Sequence, residues 1–478
     1  MTLYSTLQLS KNALEAAQIG VQVTGNNIAN ANTPGYIRER LNLVPTPTQR
    51  YGGLLLGTGV RVDSITQQTD RLLESRLRSA GSDVANSEIQ ENTYNQLETI
   101  LGTAGDGDLS SGLTSFFNRI QDVLNQPDSA SVRNLVVLEG RKLTDQIKRI
   151  DSQARDLYAD INSQLSTVAD EVNSKLAQVA NLNLRIQEAE GGNVSKSDAV
   201  GLRDQRTIVL NELAKIVDIR TQEQPAGDVS VYSNGDYLIF EGTYRPVEST
   251  NVIRDGLTTS QLRIKETEAP VASSSGKLAG LLSSRDEIVS GFLTKLNDLA
   301  KTLAGEFNKV YSTGQGQVGF SSVSALKTVA NPNVPLDQAK LPFTPVNGSF
   351  EIQVKNSQTN QVTTKTITVD LNGLDEDTSL NSLASQIDAI SGISANVDSD
   401  GKLNISADSS NMTFSFANDT SGTLAALGIN TFFTGSTAQD IGINAKLQTS
   451  RNISRQVWVV QGMTPEMLNA WRVFCRRR

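Results

Sequence analysis

Histidine is missing from all 478 residues, and cysteine occurs once, at Cys475. Without imidazole there is no Ser-His-Asp or Cys-His catalysis, no His-ligated metal and no imidazole acid–base chemistry. One thiol allows neither an intrachain disulfide nor a Cys-rich zinc site. Basic clusters are absent from residues 1–454 and the net charge is -8, which argues against a nucleic-acid partner, since phosphate binding needs grouped Lys and Arg. No run approaches the roughly 18 apolar residues of a membrane-spanning helix. The first thirty residues lack the basic and apolar regions of a cleaved secretory signal, so the chain either stays in the cytosol or leaves by another route. Large apolar groups are sparse, with 5% aromatics and a mean hydropathy of -0.27. That is thin for a compact enzyme and normal for long helices that bury one narrow stripe. The length allows roughly three domains at about 150 residues each.

What is present is periodicity. Leu3, Leu7, Ser10, Leu14, Ala17, Val21, Thr24 and Ile28 alternate steps of four and three, placing small and apolar groups along one seam of a helix. At a terminus such a seam has nothing local to cover it, although docking on the chain's own core is the competing reading. Leu3, Leu7, Leu14, Ala17, Val21 and Ile28 are therefore the expected assembly contacts. Pro34 and Gly35 end the helix, and residues 36–66 read as extended and turn-rich. The glycines at 52, 53, 57 and 59 have no following Gly-Lys-Ser/Thr, so an ordinary turn is the better reading than a phosphate loop.

Helical patterns follow at 67–101, where Leu73, Leu77, Ala80, Val84, Tyr94 and Leu101 keep one phase, then at 109–125, 130–190 and 199–217. The third would reach near 90 Å at about 1.5 Å per residue. The period then switches to two. Val229, Val231 and Tyr237–Phe240 flank Asn234-Gly235 as a β-hairpin, with strands to about residue 268. Helix returns over 273–311, and 345–436 alternates strands with one helix. The expected fold is mainly α with β insertions: a long helical-bundle or coiled-coil rod carrying a small β-rich element and an inserted α+β domain. The expected divisions are 1–66 (terminal helix and extended segment, the axial core), 67–218 (helical rod), 219–270 (β-rich element) and 271–330 (helix returning to the rod). They continue with 331–440 (outward α+β domain), 441–454 (return segment) and 455–478 (basic tail).

Asn26-Asn27-Ile28-Ala29-Asn30-Ala31-Asn32-Thr33-Pro34-Gly35-Tyr36 resembles the N-terminal signature of flagellar rod, hook and hook-associated proteins. Later stretches narrow this. Leu202–Arg206 with Leu210–Leu213, Leu278–Leu282 with Arg285-Asp286 and Phe307-Asn308, and Leu427–Gly435 with Asp440–Asn444 resemble the hook-associated protein 1 family in order. The resemblance implies an extracellular structural subunit at the junction of flagellar hook and filament, exported unfolded through the flagellar type III channel without a cleaved signal. It implies self-association in a helical ring, contacts with hook protein on one side and the second junction protein and flagellin on the other, and an export chaperone. It implies no cofactor, no metal, no nucleic acid and no membrane. Asn26, Asn27, Asn30 and Asn32 are expected to cap the helix end and bind the turn formed with Pro34, Gly35 and Tyr36. Solvated turn amides without a partner role are the even alternative.

The family ends in a long amphipathic helix complementary to the first, and this chain departs from it. Residues 455–478 hold both tryptophans, the cysteine and two of the four methionines, with Arg455, Arg472 and Arg476–Arg478 against Glu466. A reading-frame shift near Arg455 is one account and a genuine short basic tail the other. Either leaves Leu3–Ile28 without that partner helix and the export chaperone without its expected binding region. A different axial role, as another rod, hook or filament subunit, is the alternative function. A glycosidase would need paired carboxylates about 5–10 Å apart. The acidic groups instead fall on helix faces or in turns such as Asp375-Glu376-Asp377, which reads as a solvated loop.

Overall fold

The computed structural model describes residues 3–102, 108–191, 197–254, 257–314, 319–374 and 376–449. The side chain of Leu3, Gly192-Asn193, Asp375 and the whole 455–478 tail lie outside the described residues. In chain order, helix α1 (Leu3–Ala29) leads into strands β1 (Glu39–Pro45), β2 (Gln49–Tyr51), β3 (Leu54–Leu56) and β4 (Val60–Gln67). Helices α2 (Arg71–Leu101), α3 (Leu109–Asn125), α4 (Ala130–Glu190) and α5 (Val200–Ile216) follow. Then come β5 (Arg220–Glu223), β6 (Val229–Ser233), β7 (Asp236–Phe240), β8 (Thr243–Tyr244), β9 (Val247–Arg254) and β10 (Leu257–Ile264). Helix α6 (Gly276–Ser283), a π-helical turn (Ser284–Val289) and α7 (Ser290–Ser312) precede β11 (Ser322–Ser324), β12 (Gly348–Asn356) and β13 (Val362–Val369). The chain continues through α8 (Leu380–Asp388), β14 (Ile393–Val397), β15 (Leu403–Ala407), β16 (Met412–Ala417) and α9 (Thr423–Leu427). It closes with β17 (Phe433–Thr434), β18 (Gly442–Ile443) and α10 (Ala445–Thr449). The fold is mainly α with β insertions.

Helix starts follow local chemistry. Asp70 accepts the N–H groups of Leu72 and Leu73, and Asp108 accepts that of Ser111, satisfying donors that a first turn leaves open. Ser379 and Ser382 form a reciprocal capping box on α8.

Two compact units divide the chain: residues 1–96 with 156–290, and 97–155 with 291–478. In the first, three asparagines of α4 act as clamps on sheet backbone. Asn162 Oδ1 accepts Ser260 N–H at 2.8 Å and its amide donates to Thr258. Asn173 takes both backbone groups of Val247 at 2.7 Å. Asn183 takes both of Val229, at 2.8 and 3.1 Å. The spacing of ten and eleven residues is three helical turns, so all three lie along one face. Each amide supplies the donor and acceptor that a neighbouring strand would otherwise supply.

The second unit has two apolar cores. One gathers α3, the first half of α4, α7 and the β17–β18 hairpin around Phe116, Phe307, Phe432 and Phe433. Their ring centroids lie 4.9–5.8 Å apart at tilted or edge-on angles, as ring quadrupoles favour. The other core lies in the α+β part, where sheets β13-β12-β16 and β11-β15-β14 and helix α8 bury Phe350, Ile352, Leu383, Ile387, Phe414 and Phe416. No helix among the described residues is long and apolar enough to cross a membrane.

Candidate assembly face

Helix α1 carries two overlapping three–four patterns, and the structure separates them. Ala16 and Val23 are buried at 6% exposure, with Leu9, Asn12, Ile19, Gly20 and Asn27 half-buried beside them. This face lies on the β1–β4 hairpin: Leu41 of β1 packs over Gly20, and Leu9 occupies the space at Gly59. The other face is bare. Leu7, Leu14, Val21 and Ile28 are 69–74% exposed, with Ser10, Ala17 and Thr24 between them also open. So α1 is docked on its own chain, as the competing reading held, but through smaller residues than the seam read from sequence. Isolated exposed leucines are ordinary; an unbroken heptad row of them is not.

The turn after α1 is built on Asn27. Its Oδ1 accepts the Tyr36 hydroxyl and the Glu39 N–H, each at 2.9 Å, and its amide donates to the Glu39 carbonyl at 3.0 Å. The Asn30 amide donates to the Asn26 carbonyl at 3.1 Å, and the Thr33 hydroxyl donates to Asn30 Oδ1 at 3.2 Å. Asn26 thus contributes through its backbone. The Asn32 and Pro34 side chains are exposed. Gly35 has φ +83°, and a Cβ there would run into Ile208 of α5. A glycine answers both demands.

Helix α5 holds this turn from below. Asp204 Oδ1 accepts the Ile37 N–H at 3.3 Å and the Gln67 amide at 2.6 Å. Partial burial, with nearby Glu39, pushes its carboxyl up to about 6, against the downward pull of those two bonds. The same burial, followed by Glu39 and Asp204, raises the Tyr36 phenol. Asp198 accepts the Gln67 N–H and Ser197 Oγ the Ile65 N–H, both at 2.9 Å, so the start of α5 is fastened along β4.

Two arginines lock the other side of α5. Arg203 makes a bidentate pair with Glu190 at 2.7 Å and reaches Glu223, contacts that outweigh burial and raise its pKa. Arg206 is buried and donates to Asn183 Oδ1 at 3.0 Å and the Gly227 carbonyl at 2.7 Å. Burial, then the neighbouring Arg203, lowers Arg206 to about 10. Leu202–Arg206 is therefore a structural lock between α4, α5 and the β1–β4 hairpin. Arg285 plays a matching part in the π-helical turn, donating to Ser260 O, Asn162 Oδ1 and Asp286. In the second unit, Asn308 binds the backbone of Phe432 and Phe433 through three bonds of 2.9–3.0 Å. Leu202–Arg206, Arg285-Asp286 and Asn308 are thus interior fasteners. No group of His, Cys, Asp or Glu that could hold a metal occurs among the described residues.

Fold and site together define a structural protein that presents an uncovered helical face. The model of the flagellar hook-associated protein FlgK helical domain matches residues 94–321, and that of the flagella basal body rod protein matches residues 7–36. Flagellar hook-associated protein 1 of Bacillus subtilis is 26% identical over 348 residues, 66% of this chain and 68% of that one. The Salmonella typhimurium protein of that name is 25% identical over 340 residues, 69% and 61% of the two chains. A solved structure of the flagellar hook junction protein FlgK from Burkholderia pseudomallei is similar at 17% identity and a TM-score of 0.46, covering 74% and 66%. These matches make the chain similar to the flagellar hook-associated protein 1 (FlgK) family and support a structural component of the bacterial flagellum, an extracellular appendage.

Proposed function

We propose that this chain is a subunit of the junction between flagellar hook and filament, and that it assembles with further copies, and with hook-side and filament-side proteins, through the outward face of α1. The single observation behind this is the row Leu7, Leu14, Val21 and Ile28, left 69–74% exposed on a helix whose opposite face is already docked. Covering each side chain is worth about 2 kcal/mol, so water disfavours the free state and a partner helix relieves it. Head-to-tail contacts of this kind extend as an open helix around an axis. The names of the relatives support a location at the flagellar hook. The chain leaves the cell by the flagellar type III route without a cleaved signal, and it performs no catalysis.

The test is expression of a version carrying the family's C-terminal helix in cells lacking their own hook-associated protein 1, scored by swimming and by flagellin monomer released into the medium. Restored filaments with little released monomer, and labelled protein at the distal end of the hook, are expected. Label along the hook or rod would overturn the junction reading in favour of another axial role. Turnover of peptidoglycan by the purified chain would overturn the non-catalytic one.

A further inference from the structure

Three asparagines of the chain precede a glycine, Asn234, Asn347 and Asn372, and all three side chains are exposed. With no Cβ on the next residue, each following backbone nitrogen is sterically open, so sequence alone ranks the three as equals. Their surroundings do not. Asn234 lies in the tight turn between β6 and β7, and its carboxamide has no hydrogen-bond partner among the described residues. The Asn347 carboxamide reaches away from Gly348, its Oδ1 accepting the Leu371 N–H at 3.0 Å. Gly348 is also closed in, since a Cβ there would lie 2.9 Å from both Ser421 N and Thr420 Oγ1. At Asn372 the Oδ1 accepts the Leu374 N–H at 2.6 Å, which folds the carboxamide back across Gly373. The Gly373 N–H donates to Asp377 Oδ1 at 3.1 Å. Around Gly373 a Cβ would meet no described residue within 4 Å, its chain neighbours aside, so the backbone has room to move.

We propose that Asn372 is a site of self-catalysed deamidation. The Gly373 nitrogen is the nucleophile, held next to the carboxamide carbon by the bond to Leu374. The Leu374 N–H sits on the oxygen where negative charge develops, as an oxyanion donor does. The Asp377 carboxylate lies within reach of the proton that the nucleophile loses. Gly373 N bonds to Cγ of Asn372 while its proton passes to Asp377. The tetrahedral carbon then expels its amino group, which takes up that proton and departs as ammonia, leaving a cyclic imide. One water opens the imide at either carbonyl and gives aspartate or isoaspartate at position 372; no oxidant or reductant takes part. The product adds negative charge to a loop that already holds Glu376 and Asp377, and isoaspartate lengthens the backbone shortly before α8. The reaction needs no partner and is independent of the assembly proposed above.

The experiment holds the full chain at neutral pH and 37 °C and follows the three sites in one sample. Each is read by peptide mass spectrometry and by methyl transfer from an isoaspartate methyltransferase. In the folded chain Asn372 is expected to convert about tenfold faster than Asn234 or Asn347. In guanidinium chloride the three rates converge, because the lead belongs to the folded geometry. Asp377→Asn keeps an oxygen to accept the Gly373 N–H but cannot take its proton. It is expected to slow Asn372 several-fold and leave Asn234 unchanged, with matched thermal unfolding showing the fold intact. Between pH 6 and pH 8 the parent's rate at Asn372 rises less steeply than that at Asn234, where hydroxide is the base, and the variant regains the steeper slope. An Asn372 no faster than the other two sites in the folded chain, or a lead that persists in denaturant, overturns the inference without any variant. An Asp377→Asn chain with the parental rate and pH slope at Asn372 overturns it as well.

Discussion

Asp204 gives the account a quantitative handle. Its carboxyl sits half-buried between the Ile37 N–H and the Gln67 amide, with Glu39 nearby, and its folded-state value rises from 3.8 to about 6. A raised acid pKa means that the folded state holds the proton more tightly than the unfolded chain. The group's contribution to stability is fully present below about 3.8 and is lost as pH rises through about 6. Two pKa units correspond to nearly 3 kcal/mol, but the group is only partly buried, and solvent screening reduces the effect to about half of that. Between pH 5 and pH 7 roughly 0.6 kcal/mol of stability is lost through this one group. Urea denaturation at the two pH values, compared between the parent and Asp204→Asn, isolates it. The variant keeps an oxygen acceptor but cannot titrate, so its pH 5-to-7 difference should be smaller by about 0.6 kcal/mol. An unchanged difference, or a carboxyl that titrates near 4 by NMR, would refute the reasoning.

Replacing Asn183 by Leu removes both backbone bonds to Val229 and one acceptor of the buried Arg206, and should cost about 3 kcal/mol in denaturant unfolding, whereas an exposed amide such as Asn32 costs under about 0.5. Gly35→Ala meets Ile208 and an unfavourable φ, so about 1–3 kcal/mol and a loosened α1 turn, seen as faster amide exchange at Glu39, are expected. Phe433→Ala in the second unit should cost about 3–5 kcal/mol, read as a lower unfolding midpoint.

Much of the fold was legible because the long elements repeat one pattern many times. The 109–125 and 130–190 helices begin and end at the predicted residues, and Asn234-Gly235, both at positive φ, forms the expected hairpin turn. The outward seam of α1 was legible for the same reason. Its inward face was not: Ala16, Gly20 and Asn27 are too small or too polar to register as core until the hairpin that covers them is in place. The asparagine clamps of α4 were missed because Asn162, Asn173 and Asn183 look like ordinary polar-face residues. Only a spacing of about three turns, together with strands downstream, could have flagged them. The apolar phase of α2 was visible as well, but periodicity does not say which way a stripe points; the small face of α6 at Gly280 decides that.

The central claim is tested most directly by paired substitutions on the two faces of α1, carried in a version with the family's C-terminal helix. Leu14→Glu with Val21→Glu should leave the isolated chain's unfolding midpoint unchanged and abolish swimming. Val23→Ala should lower the midpoint, at a cost of about 1–2 kcal/mol, while assembly persists. Normal swimming with both glutamates in place would contradict the account.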